Sequence, residues 1–427
     1  MRSAEMTDVP ATPEAAAGDA PRVSAARIVL ILLAVMIALP AFVMGAELSH
    51  SLGAPQATLA SLAGGGILAV IAAFGGALGA RTRKSTYQLI CDAFGTHGAK
   101  LANGALGLCI LGWYGVVATM FGQALSSAAP SLMAQTPGWT LTLLGCVLTT
   151  LTAVIGFRAL DIMSALTTPL KLLLLFWTFF AALRGGLEQA WAYVPAAPIP
   201  LGTGVSMVAG GLMVGAVLAP DVCRFARSPT HAAVGSALAY GFGFPLVLML
   251  AGMPSLASGE RDLVKIMLTL GLGVPAMLIV ILTAWSTNTF NLYAATLIGA
   301  TLRPRQPQWQ LAAAAGIAGT ALGLAGISNM LVPYLLLLGI CIPPIAGVYL
   351  VNAWRRGAGP QPDVAWRSEA IVAWLIGSGW AALAPRWDIA LTPIPALDSL
   401  LVCGVVYWLL DALARGRSSR TSEAFVG

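Results

Sequence analysis

The chain has 427 residues, 58% of them hydrophobic and only 9% charged, with a formal net charge of +6. Soluble domains carry roughly a quarter charged residues, so this composition excludes a water-bathed globule and requires lipid as the outer solvent. The positive balance does not point to nucleic acid, because Lys and Arg stand in short gaps between apolar runs, where they set membrane topology.

Residues 1–25 are rich in Ala, Pro, Ser and acidic side chains and are expected to form a disordered cytoplasmic tail. The first apolar run is too long and too late for a cleaved signal peptide. A spanning helix needs about 20 mostly apolar residues. Such runs occur at 27–50, 56–80, 101–128, 138–157, 161–183, 202–220, 232–253, 273–300, 309–327, 329–350, 367–384 and 395–414. The chain is therefore expected to be an all-α integral membrane protein of about twelve transmembrane helices. Only Gly326 to Asn329 divide the ninth run from the tenth.

The basic residues orient these spans. With the N-terminus inside, the tails and inner loops hold most of them, among them Arg81, Arg83, Lys84, Arg224, Arg227, Arg303, Arg355 and Arg356. The outer loops hold Arg184, Arg261, Lys265 and Arg386. This bias predicts a multi-pass protein of the inner membrane with both termini cytoplasmic.

Two spans carry helix breakers at matching places. The first contains Pro40 and Gly45 in LPAFVMGAEL, and Pro40 has no N–H to offer the carbonyl of Met36. The sixth contains Gly210, Gly211 and Gly215, then Pro220. Transporters built from two inverted halves unwind the first helix of each half and expose backbone groups to substrate and ion. Five spans per half pair the first span with the sixth. The expected division is a first repeat over 27–183, a second over 202–350 and two further helices over 367–414. The transporter domain is then 26–415, followed by a cytoplasmic tail over 416–427.

Polar groups inside hydrocarbon are site candidates because leaving them unpaired is costly. The eighth span holds Trp285, Ser286, Thr287, Asn288 and Asn291 within AWSTNTFNLY. Ser286 and Thr287 offer oxygen ligands for a hard cation, with backbone carbonyls near Pro40 to complete the shell. The third span holds Trp113 and Tyr114 in LGWYGV, and an indole suits a flat heteroaromatic ring. Glu47 and His50 follow the first break, where Glu47 reads as a vestibule residue or a proton-responsive carboxylate. Asp221, Arg224 and Arg227 read as an interfacial charge cluster or gate.

Lys171 lies about ten residues into the fifth span, deep in the bilayer at 1.5 Å per residue. Its ammonium can occupy the space of a sodium ion between the first, fifth and eighth spans. A buried Lys gives up its proton readily, so it can carry a transported proton. The alternative is a structural Lys paired with carbonyls or with Asp161.

The six cysteines are scattered through apolar runs without metal-site spacing, and the three histidines share no ligand pattern. There is no phosphate-cradling loop. No catalytic constellation is present, so no enzyme and no cofactor is expected, and no nucleic-acid partner.

Several stretches together resemble the nucleobase:cation symporter-1 family, and within it the cytosine permease branch. They are GWYGV in the third span, APDVCRFAR after the sixth, AWSTNTFNLYAATL in the eighth and IPPIAGVYLVNAWRR in the tenth, in order over residues 25–415. The resemblance implies a five-plus-five inverted-repeat fold of the leucine-transporter type working by alternating access. It implies symport of a nucleobase-like nitrogen heterocycle with Na+ or H+. It further implies that Trp113 stacks on the substrate ring, that Asn288 joins the substrate and ion sites, and that a sodium ion is held by Ser286, Thr287 and the backbone of Ala38 and Ala41.

Four substrate-site positions depart from the cytosine pattern of that branch. Ile110 stands where an amide is expected, Gly211 and Leu212 where serine and phenylalanine are, and Thr283 where an asparagine is. Losing buried hydrogen-bond partners costs discrimination steeply. The substrate class is thus a cytosine-like or related pyrimidine, purine, hydroxymethylpyrimidine or hydantoin ring. Lys171 resembles the fifth-helix lysine of proton-coupled amino-acid transporters of the same fold, so an amino-acid or amine transporter is the alternative.

Overall fold

The computed structural model describes residues 22–128, 136–155, 157–184, 186–357 and 364–424. The expected tail over 1–25 lies outside the described residues up to 21. Within lipid a chain must satisfy its backbone internally, and the described residues are helical almost throughout. Beyond the helices, an isolated bridge joins Val23 to Ala226.

The first span is α1 (Ala25–Met36) and α2 (Leu39–Leu52), bent by 75° at Ile37 and Ala38. Then come α3 (Ala54–Thr82), α4 (Thr86–Ala128), α5 (Gly138–Ile155) and α6 (Phe157–Leu183). A short α7 (Leu187–Ala192) precedes the sixth span, which is α8 (Leu201–Val217) with α9 (Ala219–Cys223). The seventh is α10 (Pro229–Leu238), a π-turn over Ala239–Gly243 and α11 (Phe244–Ser258). After α12 (Leu263–Thr269) follow α13 (Gly273–Leu302) and α14 (Gln308–Leu324). The tenth span is α15 (Leu331–Cys341) and α16 (Pro343–Arg356), and α17 (Ser368–Leu383) and α18 (Pro395–Ala424) end the chain.

All twelve expected segments fall on helix. By length and apolarity alone, six helices qualify to cross a membrane, and the bent first pair makes seven. The rest are shorter apolar helices, such as α8, or segments divided by breaks. α18 runs on to Ala424, through much of the stretch expected as a tail.

The breaks follow from backbone chemistry. In the first span the break falls at Ile37 and Ala38, just before Pro40. Ala38 is extended (φ −138°, ψ 155°), and Pro40 stands in the first turn of α2, where its missing N–H leaves nothing unpaired. Gly45 lies inside unbroken helix, where the carbonyl of Leu248 packs against it. In the sixth span Leu212 leaves helical geometry (φ −123°, ψ 16°) directly after Gly211. Two further breaks were not expected: Gly95 (φ 78°) bends α4, and Ile342 separates α15 from α16 ahead of Pro343 and Pro344.

The two kinked spans touch. A Cβ on Gly211 would stand 2.9 Å from Cε of Met44 in α2, so the missing side chain is what lets them meet. Asp411 of α18 is buried against arginines. It accepts from Arg355 at 3.1 Å, from Arg415 at 2.5 Å and from Arg356.

Candidate functional site

The last carbonyls of a helix lack intrahelical partners, and its C-terminal end carries partial negative charge. Because Ala38 is extended, α1 ends with such carbonyls aimed into the protein. Lys171 fills that place and is fully buried. Its Nζ donates to the carbonyl oxygens of Ala34 at 3.0 Å and Ile37 at 3.3 Å, and to Oγ of Ser286 at 3.2 Å. An ammonium has three donors, and here each meets an oxygen. One side chain from α6 thereby joins α1 to α13. The side chain of Asp161 lies outside the described residues.

Ala38 and Ala41, the expected backbone partners of an ion, are not among the acceptors of Lys171. The carbonyl of Ala38 is engaged by the amides of Ala41 at 3.0 Å and Phe42 at 3.3 Å, which start α2. The break stands earlier than Pro40 suggests, so the freed oxygens belong to the final turn of α1. Thr287 Oγ1 is buried and without a partner, as is Thr167 Oγ1, one turn before Lys171.

A second cluster lies along α4. Asn288 of α13 donates to the carbonyl of Tyr114 at 3.1 Å and receives Nδ2 of Asn291 at 3.4 Å. The Tyr114 hydroxyl reaches α5, with Oγ1 of Thr149 at 3.1 Å and the Cys146 carbonyl at 3.2 Å. Trp113 is half-buried, and the ring of Tyr334 from α15 stands edge-on to it with centroids 5.6 Å apart. The Tyr334 hydroxyl donates to the carbonyl of Cys109. Sequence reading missed Tyr334; the break at Ile342 is the signal that α15 is a separate half-helix.

The remaining candidates present little hydrogen-bonding capacity. Ile110 is buried apolar packing, Gly211 has no side chain, and Leu212 sits half-buried at its kink. Thr283 is fully buried with its hydroxyl turned back to the Ile279 carbonyl. Asn288 and Thr149 line a cavity of about 30 Å³ between α4, α5 and α13, the room of roughly one water molecule. Trp285 lines the same cavity, with Nε1 on Oγ1 of Thr152 at 2.9 Å.

The charged candidates are peripheral. Glu47 is half-buried and takes both its oxygens to Nη1 of Arg261 at 2.9 and 3.0 Å. His50 lies between Oγ of Ser255 at 3.0 Å and the hydroxyl of Tyr193 at 3.3 Å. At the opposite end Asp221 accepts the Thr86 amide at 2.8 Å and so caps α4.

The model of a permease family for cytosine/purines, uracil, thiamine and allantoin matches residues 22–369. That is most of the chain. It belongs to this family. The permease is 31% identical over 345 residues to the cytosine permease of Escherichia coli K12, covering 78% of this chain and 80% of that one. It superposes on Mhp1, a nucleobase-cation-symport-1 family transporter in a closed conformation with bromovinylhydantoin bound, with a TM-score of 0.79. The identity there is 16%, over 93% of this chain and 94% of that one. A Na+-coupled sialic acid symporter gives a TM-score of 0.68 at 12% identity, over 92% of this chain and 90% of that one.

These likenesses give the permease the five-plus-five inverted-repeat fold of the leucine-transporter type. It is a multi-pass membrane transporter. Between its kinked first span and α13 stands the side chain of Lys171 from α6.

Proposed function

We propose that the permease imports a small planar nitrogen heterocycle of the nucleobase type across the inner membrane, with a proton as the coupled cation and both termini cytoplasmic. The observation that carries this reading is Lys171 Nζ on the carbonyls of Ala34 and Ile37 and on Ser286 Oγ. A tethered ammonium there satisfies the oxygens that a sodium ion would otherwise use. Losing its proton removes the charge that binds α1 to α6 and α13, and regaining it restores the tie. Lys can alternate in this way because its charge is labile when buried.

For the substrate, Trp113 offers a stacking face, with Asn288 next along the path toward Ser286. Ile110, Gly211, Leu212 and Thr283 supply few donors or acceptors, which favours a ring read by shape and stacking over one read at every edge. The named relative carries cytosine and the Mhp1 structure a hydantoin, so these two ring types are the first probes. Family membership favours a heterocycle over an amino acid or amine.

A sodium-coupled reading, with the ion on Ser286, Thr287 and the backbone near Ala38 and Ala41, draws support from the unpartnered Thr287 hydroxyl. Uptake of radiolabelled cytosine and a labelled hydantoin into proteoliposomes, with proton and sodium gradients imposed separately, tests the choice. Accumulation driven by the proton gradient alone is expected. Accumulation that requires sodium would overturn proton coupling, and uptake of amino acids in place of either ring would overturn the substrate class.

A further inference from the structure

Trp113 stands on a turn of α4 that is held from several sides. Asn288 of α13 donates to the Tyr114 carbonyl at 3.1 Å. Toward α14 the backbones meet: a Cβ on Gly115 would stand 2.8 Å from the Gly319 carbonyl oxygen and from the Gly323 amide nitrogen. Thr119, one turn on, donates to the Gly323 carbonyl at 3.2 Å. A further hold comes from Tyr334 of α15, whose hydroxyl donates to the carbonyl of Cys109. In an α-helix that carbonyl is the one with which the Trp113 amide pairs, so the hydroxyl grips the turn at the root of the indole.

Tyr334 differs from the other holds because it touches the indole as well as the backbone beneath it. The two ring centroids are 5.6 Å apart with their planes at 70°, an edge-to-face pair of the attractive kind. Whichever ring supplies the edge, at least one face of the indole is left clear of Tyr334. Room for the phenol is made by Gly112, where a Cβ would stand 2.6 Å from the Tyr334 hydroxyl oxygen and 2.9 Å from its Cζ. The next residue, Leu335, sets its carbonyl against Gly210 of α8, two residues before the kink at Leu212. Adjacent residues of one half-helix thus brace the turn that carries Trp113 and the kinked sixth span.

We propose that Tyr334 is a positioning residue, which through its ring contact and its bond to the Cys109 carbonyl fixes the Trp113 indole in one orientation before a ring arrives. A stacking face aligned in advance spares the ligand the entropy of ordering it. With Ile110, Gly211, Leu212 and Thr283 supplying few donors or acceptors, binding depends on that alignment more than it would in a site lined with polar groups. The effect on binding rests on the stacking role given to Trp113; the effect on the indole itself does not.

Two measurements test this. The first uses no ligand: fluorine NMR of the full-length permease labelled with fluorotryptophan, the Trp113 line being the one lost in Trp113→Phe. A single narrow line is expected, which Tyr334→Phe broadens or divides by deleting the donated O–H. Gly112→Ala, which displaces the hydroxyl and leaves Tyr334 in place, is expected to do the same. A Trp113 line unchanged in both variants would overturn the positioning role. The second is titration with cytosine and with a hydantoin. Tyr334→Phe is expected to weaken ring binding about threefold to tenfold, the scale of one interhelical hydrogen bond, and to cost nothing further once Trp113 is replaced by alanine. Where Trp113→Ala itself weakens binding, an equal response to Tyr334→Phe in the two backgrounds, whether loss or none, would overturn the role. If Trp113→Ala leaves affinity unaltered, the stacking reading falls, and the fluorine line alone decides whether Tyr334 fixes the indole.

Discussion

Nζ of Lys171 and Oγ of Ser286 stand 3.2 Å apart, joining the fifth span to the eighth at the point where the first span comes apart. Each of the other two acceptors of that ammonium is a carbonyl at the end of α1. The contacts of the Lys171 ammonium and the break in the first span are therefore at the same place.

Lys171→Arg separates charge from proton exchange. Arg keeps the cation but does not release its proton. Proton-driven accumulation of the probe ring is expected to fall to background in Lys171→Arg and in Lys171→Ala, while ring binding persists. Accumulation that survives either change removes Lys171 from the coupling step.

Trp113→Ala is expected to weaken ring binding by about 1–3 kcal/mol, the scale of base–aromatic stacking. Titration of the detergent-solubilised permease with cytosine or a hydantoin reads this directly. Trp113→Phe keeps a stacking face and is expected to lose less. Equal affinity in all three proteins would end the stacking assignment.

Asn288→Ala removes the bond to the Tyr114 carbonyl, one of the ties between α13 and α4. Interhelical hydrogen bonds in membrane proteins contribute about 0.6 kcal/mol on average and up to about 1.7. A stability loss within that range is expected from denaturation in mixed micelles. A much larger drop in ring affinity than in stability would show that Asn288 also touches substrate.

Gly210→Ala forces a methyl group onto the backbone carbonyl of Leu335 in α15. Backbone cannot step aside as a flexible side chain does, and overpacking of this kind costs about 1–3 kcal/mol. A lowered unfolding midpoint is the expected result, whereas Gly104 of α4, with open space around it, is expected to accept alanine without loss.

Glu47→Gln separates the two readings of that carboxylate. The Glu47–Arg261 pair is substantially exposed, with side chains 32% and 56% accessible, and exposed ion pairs contribute at most about 1 kcal/mol. Proton-driven uptake by Glu47→Gln is expected to match the unmodified permease. Loss of coupling would make Glu47 a proton carrier.

The membrane class and the helical segments were legible because lipid imposes a strong, local signature: long apolar runs with basic residues between them. The paired breaks were legible from Pro40 and Gly211, yet their register was not. A proline marks the start of the helix that follows it, and the frayed carbonyls lie at the end of the helix before. That is why the carbonyls that meet Lys171 are those of Ala34 and Ile37, at the end of α1. The depth of Lys171 and its place between the first, fifth and eighth spans were readable, but which carbonyls it meets was not, because main-chain oxygens are announced by no side chain. Tyr334 was hidden for a different reason. Its contact with Trp113 spans the two halves of the sequence, and only the fold brings α15 against α4.

Asp411 of α18 collects the guanidinium groups of Arg355 and Arg356 from α16 and of Arg415 from its own helix. The tenth span is made before α18, so until α18 follows, Arg355 lacks this carboxylate and Arg356 has Glu369 of α17, at 3.8 Å. Closure of the cluster is thus postponed until α18 is in place, and a chain terminated before residue 411 would leave the end of α16 short of the carboxylate that gathers its two arginines.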